Sequence, residues 1–102
     1  MSDVTYEIKL KEGFFKTQVY YLTVGSGQII LTPQEHDDKD QVVINGDELQ
    51  SVSIMSRNRT SPELEIVTST NIYDGNLSAQ IDLKKLAGDL DQEFGLKFVL
   101  QR

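Results

Sequence analysis

The residues able to do chemistry in this chain of 102 are few, and they fall in three places. One is the acidic run Glu35-His36-Asp37-Asp38-Lys39-Asp40, which holds the single histidine. Its carboxylates are oxygen donors of the kind hard cations take. The run lacks the alternating ligands and glycine of an EF-hand loop, and Lys39 puts a positive charge among the donors. A solvated, metal-free loop over residues 34–40 is therefore expected. The second place is the cluster Lys9, Lys11 and Lys16 around Phe14-Phe15, and the third is the pair Arg57 and Arg59. Five cations on one rim would hold a phosphorylated headgroup or an acidic peptide. Glu7 and Glu12 lie among the lysines and offset part of that field. A phenylalanine pair at a hairpin tip is either an apolar contact for a membrane or partner, or one core residue beside a partly covered neighbour.

The same inventory excludes much. There is no cysteine, so no disulfide, thiol nucleophile or thiolate metal site. One histidine makes no polyhistidine metal site, and leaves His36 as the only imidazole base. No G-x-S-x-G, phosphate-binding loop or H-E-x-x-H stands in the sequence. Neither catalysis nor a cofactor is expected. Ten Lys plus Arg against 16 Asp plus Glu give a net charge of −6, which repels nucleic acid and anionic lipid. Phe14, Phe15, Tyr20 and Tyr21 come in pairs rather than interleaved with basic residues, so nucleic-acid binding is not expected. The opening MSDVTYEIKL has neither a basic nor an apolar signal region, and no apolar run spans a bilayer. A cytoplasmic location is expected from that and from the missing cysteine. Asn58-Arg59-Thr60 and Asn76-Leu77-Ser78 are then chance matches to a glycosylation triplet.

Short strands divided by turn residues must position these groups. Val4, Tyr6, Ile8 and Leu10 alternate with polar residues, the pattern of a half-buried strand. A strand over 18–24 follows, then the Gly25-Ser26-Gly27 turn and a return over 28–32 that Pro33 stops. Further strands are expected over 41–44, 49–55 and 63–68, with Asn45-Gly46 as a turn. Residues 71–81 read as extended, with Asp74-Gly75 either a hairpin turn or a bulge in one long strand. The period then changes. Leu83, Leu86, Ala87, Leu90 and Phe94 make one apolar stripe at helical spacing. Asp82 is its N-cap and Gly95 its C-cap, giving a helix over about 82–94. No strand–helix alternation occurs, so a parallel sheet is not expected and consecutive strands are read as antiparallel. The fold class is mainly β: about seven antiparallel strands, as a partly open barrel or two packed sheets, capped by one C-terminal helix. The alternative is α+β, with a final strand over 96–101. One domain covers 1–102.

Seven meandering strands and a C-terminal amphipathic helix resemble the pleckstrin-homology-like (PH/GRAM-like) superfold. Lys11-Glu12-Gly13-Phe14-Phe15-Lys16 resembles its first hairpin. The run VYYLTVGSGQIILTP resembles its second and third strands, and Asp47-Glu48-Leu49-Gln50-Ser51-Val52 the entry to its fifth. The resemblance is closest to short bacterial members of unknown ligand. It departs at the helix, where no tryptophan stands and Leu90 or Phe94 would fill that place. It departs again at Lys16-Thr17-Gln18, which lacks the arginine of phosphoinositide-binding members, and in the extended piece after the helix. The resemblance implies a binding role without naming the ligand.

The leading expectation is thus a small non-catalytic binding or assembly module that works through protein contacts, by strand addition to a partner or to its own copy. The alternative is a lipid-headgroup or anionic-membrane module using Lys9, Lys11, Phe14, Phe15, Lys16, Arg57 and Arg59. Lipid binding is expected to be weak or absent. An enzyme or small-ligand pocket stands third.

Overall fold

The computed structural model describes residues 4–11, 16–34, 41–56, 62–78 and 80–101. The chain is mainly β. Strands β1 (Val4–Lys11), β2 (Thr17–Gly25), β3 (Gln28–Pro33), β4 (Val42–Asn45), β5 (Leu49–Met55), β6 (Glu63–Thr68) and β7 (Ile72–Leu77) come first. Helix α1 (Leu83–Phe94), one 3-10 turn (Gly95–Lys97) and strand β8 (Phe98–Gln101) follow. All eight strands form one open sheet in the order β4-β3-β2-β1-β7-β6-β5-β8.

Alternation decides which face is inside. Tyr6, Ile8 and Leu10 of β1 are buried while Thr5, Glu7 and Lys9 are exposed. Leu22, Val24, Ile29, Leu31 and Ile44 extend that buried face across β2, β3 and β4. Val52, Ile54, Leu64, Ile66 and Leu77 complete it from β5, β6 and β7. The turn between β2 and β3 has Ser26 at φ 54° and Gly27 at φ 71°. Two successive positive φ values match the right-handed twist of the flanking strands, which fixes the hairpin register at Gly25 opposite Gln28. Pro33 is the last residue of β3, opposite Tyr20.

Helix α1 starts as the sequence requires. The Asp82 carboxylate accepts from the Lys85 amide at 3.2 Å, and Gly95, at φ 56°, donates its amide to the Asp91 carbonyl. Leu86 and Leu90 are wholly buried, and Leu83, Ala87 and Phe94 are packed against the core at partial burial. Polar contacts then fix the helix's position on the sheet. Tyr6 Oη donates to Asp89 Oδ2 at 2.9 Å. The Gly27 amide donates to Glu93 Oε1 at 2.7 Å, and the Gly46 amide to the Gly27 carbonyl at 2.9 Å. Lys97 Nζ closes the series by donating to the Gly46 carbonyl at 2.6 Å. The last turns of the helix and the residues after it are therefore bonded to two sheet turns at once.

Two expectations are corrected. Asp74-Gly75 is neither a turn nor a bulge: both residues sit inside β7, in unbroken register with β6. A glycine is needed there because β1 crosses it closely. A Cβ on Gly75 would lie 2.3 Å from the Lys9 carbonyl oxygen and 3.0 Å from Leu10 Cα. The strand also stops at Leu77 instead of running on to Ile81, whose amide closes a turn onto the Ser78 carbonyl. The final strand of the α+β alternative is present, and its pairing is parallel. The piece after the helix is a strand, and β8 lies parallel to β5 with Val52 opposite Phe98. A strand reached through a helix returns in the direction it left, which is how parallel neighbours arise. The only register shift in the described pairings falls between Leu49 and Ser51 of β5.

Candidate binding surfaces

Of the seven rim residues expected from the sequence, three are described. Lys9, Lys11 and Lys16 are all exposed at or near the end of β1. Alternation places Lys9 and Lys11 on the outer face beside Glu7. Lys11 Nζ lies 3.6 Å from Asp74 Oδ2, and both side chains are about half exposed (48% and 41%). Phe14, Phe15, Arg57 and Arg59 lie outside the described residues, as do Glu12 and the acidic run 35–40. Three antiparallel pairings separate β1 from β5, so the two strands run in opposite directions. The chain consequently leaves the sheet in opposite directions at Lys11 and at Met55, while the register sets Lys9 on the row of Asn76, Glu63 and Met55.

The structure brings other residues to Lys11. A groove of about 360 Å³ opens at the C-terminal end of β1. Leu10 and Tyr20 are its most buried walls, with Val42 and Tyr73 half-buried. Ile72, 66% exposed, stands with them, and Lys11 and Asp74 bring the charges. Val42 belongs to β4 and Tyr73 to β7, four strand steps apart in the sheet. On a flat sheet that is about 19 Å. The shared groove shows that the sheet curls until β4 approaches the start of β7. Sequence reasoning found Lys11 and missed Asp74, Tyr73 and Ile72. With Asp74-Gly75 open between a turn and a bulge, the sequence did not fix which strand residues stand beside Lys11.

A second groove, about 510 Å³, lies between α1 and β8 and is lined by Leu83, Lys84, Ala87, Leu100 and Ser56. Beside it Val99 and Leu100 are exposed, and Leu96 of the 3-10 turn is fully so. Strand β8 is one end of the sheet and β4, with Val43 exposed, is the other. Each edge is four residues long.

Titration chemistry is concentrated elsewhere. Burial pushes the Tyr6 hydroxyl well above the ordinary tyrosine range, helped by its hydrogen bond to Asp89 and by the charges of Asp89 and Asp82. Tyr6 thus stays a proton donor to Asp89 across the physiological range, which suits a fixed structural bond. Among the described residues, no group of three or more His, Cys, Asp or Glu is placed to hold a metal ion. No helix among them is long and apolar enough to cross a membrane. No protein-family model matches the chain, and no curated protein matches it.

Proposed function

We propose that the chain is a small non-catalytic cytoplasmic module, pleckstrin-homology-like in topology, that acts by protein contacts at an open sheet edge. The observation that carries this is the β8 edge. Among the described residues it ends the sheet with its outer side unpaired, and it exposes Val99 and Leu100 next to an apolar groove against α1. An added strand would meet unpaired backbone groups along β8 and bury side chains against Leu83, Ala87 and Leu100. The order in which β1 lies between β2 and β7, with the helix packed on the sheet, supports the pleckstrin-homology-like reading. Four residues give few hydrogen bonds, so the association is weak and exchangeable.

The test is light scattering over a concentration series, on the chain alone and with Leu100→Lys. Concentration-dependent self-association that Leu100→Lys removes, with the circular dichroism spectrum unchanged, is the expected result. A strictly monomeric chain whose mass is indifferent to that substitution would remove the β8 edge as the contact surface.

A further inference from the structure

Among the described residues, the groove at the end of β1 joins an apolar wall to one positive and one negative charge, and that combination is selective. Leu10, Tyr20, Val42, Ile72 and Tyr73 supply the wall. Its volume, about 360 Å³, falls within the range of small-molecule sites. Lys11 and Asp74 are 3.6 Å apart on its border. A lone anion drawn to Lys11 meets the Asp74 carboxylate, and a lone cation drawn to Asp74 meets the Lys11 ammonium. A ligand that carries both charges avoids both repulsions. Its carboxylate takes Lys11, its ammonium takes Asp74, and four charges alternate around one ring. An exposed ion pair is worth little by itself, so rearranging Lys11 and Asp74 around such a guest costs little. The two charges of the guest must lie within about one hydrogen-bond length of each other to span the pair, as they do in an α-amino acid. The apolar wall then takes its side chain.

We propose that this groove binds a free apolar α-amino acid, of the leucine or phenylalanine type. The site is separate from the β8 edge, so its success or failure leaves that surface untouched.

Amide chemical shifts of the whole chain, followed during titration with L-leucine and with L-phenylalanine, test this. Saturable shifts centred on Leu10, Lys11, Val42 and Tyr73 are expected. The amine and acid analogues that keep one charge, phenethylamine and 3-phenylpropionate, are expected to bind at least about tenfold more weakly, since each lacks one charged hydrogen bond. Lys11→Met and Asp74→Asn should each weaken L-phenylalanine by a similar factor. Both positions are exposed enough for the fold to persist, and the unperturbed remainder of the spectrum checks that it does. The exchange Lys11→Asp with Asp74→Lys should restore part of the affinity. No saturable shift with either amino acid overturns the proposal. So does equal binding of the single-charge analogues, or tighter binding of phosphocholine, whose charges are farther apart.

Discussion

Gly75 shows how a single missing side chain sets the spacing of two strands. Any Cβ there meets the backbone of β1, which has no rotamer to move aside. Gly75→Ala must push β1 from β7 or distort both, and overpacking of this kind costs about 1–3 kcal/mol. Urea denaturation should show that loss as a lower midpoint with little change in slope. Tyr6 offers a second test. Its proton is held more tightly in the folded chain than in the unfolded one. Below about pH 10 both states keep it and the full contribution is present. Above that the unfolded chain releases it first, so stability falls as pH rises. Tyr6→Phe cannot ionise and should show a shallower alkaline fall in melting temperature than the parent chain. At neutral pH it should cost about 0.5–1.5 kcal/mol for the lost bond to Asp89. Residues whose role is local were legible in the sequence: Asp82 needs only its own helix's amides, and Gly27 only its own turn. Gly75 was not, because its reason lies in β1, a strand remote in sequence. Asp74 was missed with it, and so was the charge pair at the groove.

The elements divide in the same way. Helix α1 was readable because its period, cap and stop agree, and Leu86 and Leu90 are buried as that stripe requires. Leu86→Ala should cost about 2–5 kcal/mol, measurable by denaturant titration, because the sheet beneath cannot close the space left behind. Strands β1, β5 and β6 were readable from alternation of their own residues, and β3 from the Gly25-Ser26-Gly27 turn before it and Pro33 at its end. Strand β8 was open between strand and tail, since four residues carry too few alternations to declare a face. Its parallel partner was beyond reach, because pairing with β5 is decided by where α1 delivers the chain. The α1–β8 groove was missed for that reason. Leu83 and Ala87 were counted wholly as core stripe, whereas the packed helix leaves one flank of it open.

Charge acts on the molecule as a whole. The three described lysines of the first hairpin lie on a chain of net −6, and Lys11 already faces Asp74. Each lysine near an anionic membrane is worth about 1 kcal/mol, and the overall charge opposes approach. Sedimentation with phosphoinositide-containing vesicles at physiological salt should leave most of the protein in solution. Strong co-sedimentation that Lys16→Glu abolishes would favour the headgroup reading over protein contacts.

The place of β1 in the strand order also governs how the chain reaches this structure. Strand β1 is a central one, and its two neighbours are β2 and β7. Strands β2 to β4 pair in chain order, and so do β5 to β7, but neither group carries the whole buried face alone. Joining them requires β1 to find β7, and the Tyr6–Asp89 bond spans 83 positions. The entropy of closing that long loop is lost before the contacts reward it. Refolding should therefore be slow for a domain of this size, on the order of milliseconds to seconds, with one main phase. Stopped-flow refolding by tyrosine fluorescence would measure it. Substitutions at the β1–β7 seam should slow folding if that seam forms early, and speed unfolding if it forms late.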